Sequence, residues 1–324
     1  MANKEFDTAL NGARVFFLFS VIVAHANIRP AEASTPMLYA VLRLFQYIGL
    51  IGVPCFLIVS GMLFSKGSSF ASFAVKKLKR LAIPTLFCGT AVYFLANFDG
   101  LSVVGYLRFI LGVGSYLYYI TVLLALYLIM YLLPERLSVF AVCIVFAVAN
   151  MFLCRFGLYE FPISTYYNIF VWIGYFALGR IFALYDVPGR LRALGVGARA
   201  AISACALPAV AVGFVLRVDN YMDPCLFVTA VPVFIGVYVL CTFPLGRFWF
   251  MQHIGNISFS VYLLHMPLVA ALKTVVRRVN INLFPLIAPI ALLIMATAFY
   301  IYLRLTERMN KKTAGIFNLL LGLR

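Results

Sequence analysis

Apolar runs of membrane length succeed one another along this chain, separated by short polar stretches. A helix needs about 20 mostly apolar residues to cross a hydrocarbon core of about 30 Å. Ten segments meet that pattern, near 13–30, 43–65, 81–98, 115–133, 137–154, 166–184, 198–217, 224–243, 255–273 and 284–303. A further apolar stretch, "LSVVGYLRFILG" at 101–112, is too short to span and is expected to lie at the interface or to re-enter. The pattern predicts an all-α, polytopic membrane helix bundle of about ten transmembrane helices. No internal repeat, low-complexity linker or composition shift divides it, so residues 1–324 are expected to form a single membrane domain with no separate soluble module.

Composition strengthens this reading. Apolar residues make up 65% of the chain and charged residues 11%, far from the balance of a soluble domain. The 16% aromatic content suits interfacial anchoring. The first apolar run follows Lys4, Glu5, Asp7 and Arg14 and lacks a small-x-small cleavage site, so it is expected to be a retained span and not a signal peptide. The seven cysteines all sit in or beside apolar segments without a C-x-x-C pair, and are expected to be free thiols with no metal or disulfide chemistry.

The net charge of +16 raises the question of nucleic acid. Its distribution answers it: the positive charge is scattered between spans, with no soluble module to present it, so no nucleic-acid partner is expected. With the N-terminus inside, eighteen of the 26 Lys and Arg fall on one side of the membrane and eight on the other. Lys and Arg enrichment marks the cytoplasmic side, so both termini are expected there. The loop "SKGSSFASFAVKKLKR" and the tail "RLTERMNKK" then make the inner face attractive to anionic lipid or an anionic cofactor.

Against this background a few polar side chains stand out. Arg14 and His25 belong to the first apolar segment. Eleven residues at about 100° each make nearly three full turns, so both point the same way, about 16 Å apart along the axis. They are either an interfacial anchor and an outward-snorkelling histidine, or a cation at a cavity mouth with a proton acceptor deeper inside. Imidazole suits the second role because it takes and returns a proton near neutrality. In "VKKLKRLAIP", Lys76, Lys77, Lys79 and Arg80 crowd the start of the third span, with Lys77 and Arg80 on one helix face. They are either ordinary positive-inside charge or a phosphate clamp. In "HIGNISFSVYLLHMP", Ser258, Tyr262 and His265 share a face, and structural and functional roles weigh about equally; His253 points elsewhere and is expected to be incidental. In "GVPCFLIVSGMLF", the Ser60-Gly61 pair permits close helix packing, or leaves space for a narrow ligand. Asp219 and Asp223, on the expected outer side, are read as a solvated loop before a sugar contact. Tyr116, Tyr118, Tyr119 and Tyr166 could stack on a sugar, although interfacial anchoring is the stronger reading. No nucleophile elbow, H-E-x-x-H or Walker loop occurs.

Taken in order, "LNGARVFFLFSVIVAHA", "GVPCFLIVSGMLFSK", "KKLKRLAIP" and "IGNISFSVYLLHMPLV" resemble the acyltransferase 3 family of integral membrane acyltransferases, which includes O-acetyltransferases of bacterial surface polysaccharides. The resemblance implies transfer of an acyl group, commonly acetyl from acetyl-CoA, onto a hydroxyl of a glycan or lipid-linked saccharide in the bacterial cell inner membrane. It places Arg14 and His25 on the family's first-span arginine and essential histidine. Lys77 and Arg80 fall on its basic R-x-x-R pair, and His265 on its late Tyr-Leu-x-His motif. Two departures stand out. Lys77 replaces an arginine, keeping charge but losing a bidentate fork. The family's His-Leu-Trp reads Tyr116-Leu117-Tyr118, which bears on acceptor preference.

The expected mechanism joins these readings. CoA phosphates bind Lys76, Lys77, Lys79 and Arg80 with Arg14 at the mouth, and His25 serves as general base for the acceptor hydroxyl, or as a transient acyl carrier. No metal is expected. Two rivals remain at this stage. One is a multipass transporter or flippase for a glycolipid or small solute. The other is a different membrane acyltransferase class, built around a deep histidine such as His265 with a nearby Asn.

Overall fold

The computed structural model describes residues 8–67, 69–162 and 164–323. Lys4, Glu5, Asp7 and Arg324, which entered the reading of the termini, lie outside the described residues. The chain runs through α1 (Thr8–Ala26), α2 (Pro36–Met62), α3 (Phe70–Ala96), α4 (Val103–Leu111), α5 (Tyr118–Leu132), α6 (Leu137–Arg155) and α7 (Ile169–Leu184). It continues as α8 (Val187–Ala193), α9 (Val196–Ala204), α10 (Ala206–Val215), α11 (Pro224–Leu240) and α12 (Pro244–Arg247). The last three helices are α13 (Trp249–Val279), α14 (Ile287–Thr306) and α15 (Lys311–Leu321), and no strand occurs among the described residues.

Each of the ten expected spans coincides with an apolar helix or helix pair. Eight are long and apolar enough to cross a membrane: α1, α2, α3, α6, Thr165–Leu184, Val196–Val215, α13 and Ile281–Thr306. The other two, α5 and α11, are shorter apolar helices of 15 and 17 residues. Backbone groups cannot go unpaired in hydrocarbon, which is why apolar runs of this length become helices. The stretch at 101–112 forms the nine-residue α4, capped by the Ser102 side chain and ended by Gly112 at φ 87. At 1.5 Å per residue it covers about 13 Å, too little to span.

Several boundaries depart from expectation, α2 among them, which begins at Pro36 and not near 43. The basic segment read as a loop leading into a third span is already helical from Phe70, because the Ser69 side chain caps the helix at Ser72 N. Lys76 to Arg80 therefore stand on the second and third turns of α3. The ninth expected span, α13, extends well beyond 255–273 at both ends, to 31 residues. α15 was not expected. It is too short and polar to register as a span, and its half-buried residues fall near Ala314, Asn318 and Leu321, at helical spacing.

The described residues fall into two compact units. The first takes those of Met1–Phe64 and Glu135–Asn256, and the second those of Ser65–Pro134 and Ile257–Arg324. In the first, α2 packs on both α1 and α7. Gly61 and Gly179 make the second crossing possible: a Cβ at Gly61 would lie 2.1 Å from the Phe176 carbonyl, and one at Gly179 2.1 Å from the Ile58 carbonyl. Close backbone approach of this kind is how small residues join helices in a membrane. Phe17 of α1 stacks on Phe234 of α11 at 5.4 Å in the same core.

In the second unit α3 gathers its neighbours. Tyr93 Oη donates to the Ser102 carbonyl at 2.9 Å, and Thr90 and Tyr106 hydroxyls meet at 2.8 Å, fixing α4 on α3. α15 packs against α3 as well: Cys88 Sγ lies 3.7 Å from the Leu320 carbonyl. Tyr302 of α14 donates to Asn318 Oδ1 of α15 at 3.0 Å. All seven cysteines are free thiols.

Candidate active site

Arg14 and His25 both lie on α1, Arg14 in its second turn and His25 in its last. Each is half-buried, while Leu18 and Val21, on the same stripe between them, are 0% and 3% exposed. The two ionisable groups thus flank a packed apolar stretch of helix. About three turns of helix lie between them, so they stand at opposite ends of α1.

Around Arg14 the first unit builds an amide cluster that sequence reasoning did not single out. Asn11, 2% exposed, has its Nδ2 within 3.0 Å of the Gln252 carbonyl, 3.1 Å of Gln252 Oε1 and 3.2 Å of Asn256 Oδ1. Gln252 Nε2 in turn donates to the Thr8 carbonyl at 2.8 Å and to the Gly246 carbonyl. Arg14 Nη1 lies 3.5 Å from Asn11 Oδ1. The signal was present in the sequence. Asn11 lies inside the Arg14 segment, and Gln252 and Asn256 are four apart on one helix, flanking His253.

Ser60 and Gly61 lie at the end of α2 nearest α7. The space that a side chain at position 61 would fill is taken by the α7 backbone, so Gly61 serves close packing. Beside it Arg180, 6% exposed, donates through Nη1 to the Gly61 and Phe64 carbonyls at 3.3 and 2.7 Å and through Nη2 to Glu135 Oε1 at 2.9 Å. Arg180 is therefore a staple between α7 and the end of α2. Its planar fork reaches the Gly61 carbonyl in the last turn of α2 and the Phe64 carbonyl just beyond it.

The second unit holds the basic face of α3. Lys76, Lys79 and Arg80 are exposed and Lys77 is half-buried. Lys77 Nζ stands 3.9 Å from the centre of the Tyr127 ring and 5.5 Å from that of Phe73. Such cation–π contact orients an ammonium without neutralising it. Lys66 joins the same aromatic group, donating to the Leu133 carbonyl with its Nζ 5.8 Å from the Tyr131 ring.

Tyr116, Tyr262 and His265 come together in this unit, and Pro267 explains how. A proline within a helix has no N–H, so the carbonyl four residues earlier loses its helical donor. That carbonyl belongs to Leu263, and Tyr116 Oη donates to it at 2.6 Å. Tyr262 Oη reciprocates with a hydrogen bond to the Tyr116 carbonyl. His265 is 0% exposed, its ring set edge-on to Tyr116 at 5.5 Å, with Nδ1 2.7 Å from the Tyr262 carbonyl. A carbonyl only accepts, so Nδ1 carries the proton and the ring is held in one tautomer.

Tyr119, 8% exposed, packs its ring on Tyr262 at 5.5 Å. Ser258 is buried on the same face of α13, and Tyr118 is half-buried at the start of α5. With Tyr116 only 6% exposed and its hydroxyl bonded to backbone, its ring is a clasp and not a sugar platform. Tyr166 is 47% exposed, its ring 5.9 Å from that of Tyr221. His253 stacks on Trp249 at 5.5 Å. Asp223 is buried and caps α11 through Cys225 N at 2.9 Å, whereas Asp219 stays exposed.

The expected constellation is thus shared between the units. Arg14, His25, Ser60 and Gly61 belong to the first. Lys76, Lys77, Lys79, Arg80, Tyr116, Tyr118, Ser258, Tyr262 and His265 belong to the second.

Comparison with known proteins gives one match. A family model described as the acyltransferase domain of the acyltransferase 3 family matches residues 7–304. No curated protein and no solved structure matches the chain. The matched region takes in α1 with Arg14 and His25, the basic turns of α3 and the whole of α13. On that match across almost its full length, the chain, an all-α multi-pass membrane protein, belongs to the acyltransferase 3 family of membrane acyltransferases.

Proposed function

We propose that this protein is an O-acyltransferase of a bacterial cell inner membrane. It would move an acyl group, most simply acetyl, from acyl-CoA on the cytoplasmic side to a hydroxyl of a glycan or lipid-linked saccharide. The observation that carries the reading is the pair on α1: two ionisable side chains, each half-buried, at opposite ends of one membrane-length helix of a membrane acyltransferase. Charge and imidazole on a spanning helix are costly and mark function.

In this reading Lys76, Lys77, Lys79 and Arg80 attract the CoA phosphates, with Arg14 as a further cationic contact for the donor. Exposure of three of the four α3 cations, and the aromatic setting of Lys77, support it. His25 accepts the proton of the acceptor hydroxyl as its oxygen attacks the thioester carbonyl. The carbon–sulfur bond breaks, the proton passes from the imidazolium to the leaving thiolate, and an ester and free CoA result. In this reading His265 is assigned to holding α13 in place. Its ring is fixed on a backbone carbonyl inside the Tyr116–Tyr262 clasp, which supports a positioning role for α13.

Acetyl-CoA labelled in the acetyl group, supplied to membrane vesicles of an expressing strain, tests the reading. Label should pass into a base-labile saccharide ester with wild-type protein, and not with His25→Ala present at equal abundance. Equal labelling with His25→Ala would remove His25 from the chemistry.

A further inference from the structure

The Asn11 amide sits in surroundings that determine which way it points. Its Nδ2 faces three acceptors, the Gln252 carbonyl, Gln252 Oε1 and Asn256 Oδ1, at 3.0, 3.1 and 3.2 Å. An amide nitrogen has two hydrogens, so this side of the group is fully engaged. A flipped amide would set its oxygen against those same acceptors. Gln252 cannot readily turn to accommodate it, because its Nε2 already donates to the Thr8 and Gly246 carbonyls. Gly255 closes the socket: a Cβ there would lie 2.7 Å from Asn11 Cγ and 2.3 Å from its carbonyl oxygen.

The consequence falls on Arg14, one turn further along α1. With its nitrogen engaged, Asn11 presents Oδ1 to the guanidinium, 3.5 Å from Nη1. That is the long end of a hydrogen bond, so the effect is to orient more than to bind tightly. A guanidinium on a flexible stem carries considerable rotamer entropy, and a fixed acceptor beside it reduces what must be lost when an anion arrives. We infer that Asn11, held by Gln252 and Asn256, is a positioning residue that aims Arg14 at the acyl donor. This rests on the reading of Arg14 as a donor contact.

A double-mutant cycle on acetyl-CoA binding tests it, using full-length protein in nanodiscs and a thermal unfolding scan of every variant. Arg14→Ala should weaken acetyl-CoA binding about tenfold or more, and Asn11→Leu about three- to tenfold. The double variant should bind no worse than Arg14→Ala alone, since Asn11 acts through Arg14. A merely structural role would lower the unfolding temperature without that coupling. If Arg14→Ala weakens binding but Asn11→Leu does not, or the two losses multiply, the positioning role is overturned while the donor site stands. If wild type does not bind, or Arg14→Ala binds as wild type does, the reading of Arg14 falls and the inference with it. Should Asn11→Leu not fold, Asn256→Ala, at an exposed position, removes one of the three acceptors and enters the same cycle with the same expected coupling.

Discussion

At the scale of single residues, polar groups in this protein are placed where the helical backbone leaves something unsatisfied. Tyr116 answers the carbonyl that Pro267 orphans, and Arg180 reaches carbonyls where the chain leaves α2. Removing the hydroxyl in Tyr116→Phe leaves a buried carbonyl without its donor and should destabilise the fold by about 1–3 kcal/mol. Tyr262→Phe should cost a similar amount, measured for both by chemical denaturation in micelles. A loss below about 0.5 kcal/mol in Tyr116→Phe would show the clasp to be incidental. Sequence reading reached His25 and Arg14 because ionisable groups on an apolar run are conspicuous. It passed over Asn11, Gln252 and Asn256, because an amide carries no charge and its importance depends on Asn11 meeting a pair 241 and 245 residues away in sequence. It could pair Tyr262 with His265 by spacing, but not Tyr116, which joins them only through the tertiary fold.

At the scale of elements, the α2–α7 crossing depends on close backbone approach. Gly61→Leu or Gly179→Leu would place side-chain atoms where the opposing backbone runs, at 2.1 Å from the first carbon. Overpacking typically costs about 1–3 kcal/mol, and here the obstacle is backbone, so either change should stand at or above the upper end and reduce the yield of folded protein. Normal yield and unchanged unfolding temperature would contradict the crossing as described. At the same junction, Arg180→Met should destabilise by about 2 kcal/mol through the lost carbonyl contacts. Introducing Glu135→Gln into that background should add little, because the two act as a pair. The helices themselves were legible from hydropathy, with only their ends shifting. α3 begins earlier because Ser69 supplies a cap, and α13 is a continuous helix from Trp249 to Val279 with Pro267 inside it. α15 was not legible, since its amphipathic pattern gains meaning only from the α3 surface that it covers.

At the scale of the whole molecule, ten apolar helices and the family match make this an acyltransferase that works in a membrane. If His25 is the base, transfer should depend on pH with one sign. The neutral imidazole is the active form, so the rate should be low in acid and rise as the pH is raised. A rate that falls across that range, measured with saturating acyl donor, would argue for a protonated histidine instead. The acyl donor is also the point at which the rivals separate, because a transporter for a glycolipid has no need of CoA.

The most direct test of the central claim is acetyl-CoA binding to the purified protein in nanodiscs, comparing wild type with Lys77→Ala/Arg80→Ala and with His25→Ala. Saturable binding by wild type, weakened about tenfold or more in the basic-pair variant and preserved in His25→Ala, is the predicted result. It would assign donor recognition to α3 and leave the chemistry to α1. Folded wild-type protein that fails to bind acetyl-CoA or any other short acyl-CoA would contradict the proposed reaction.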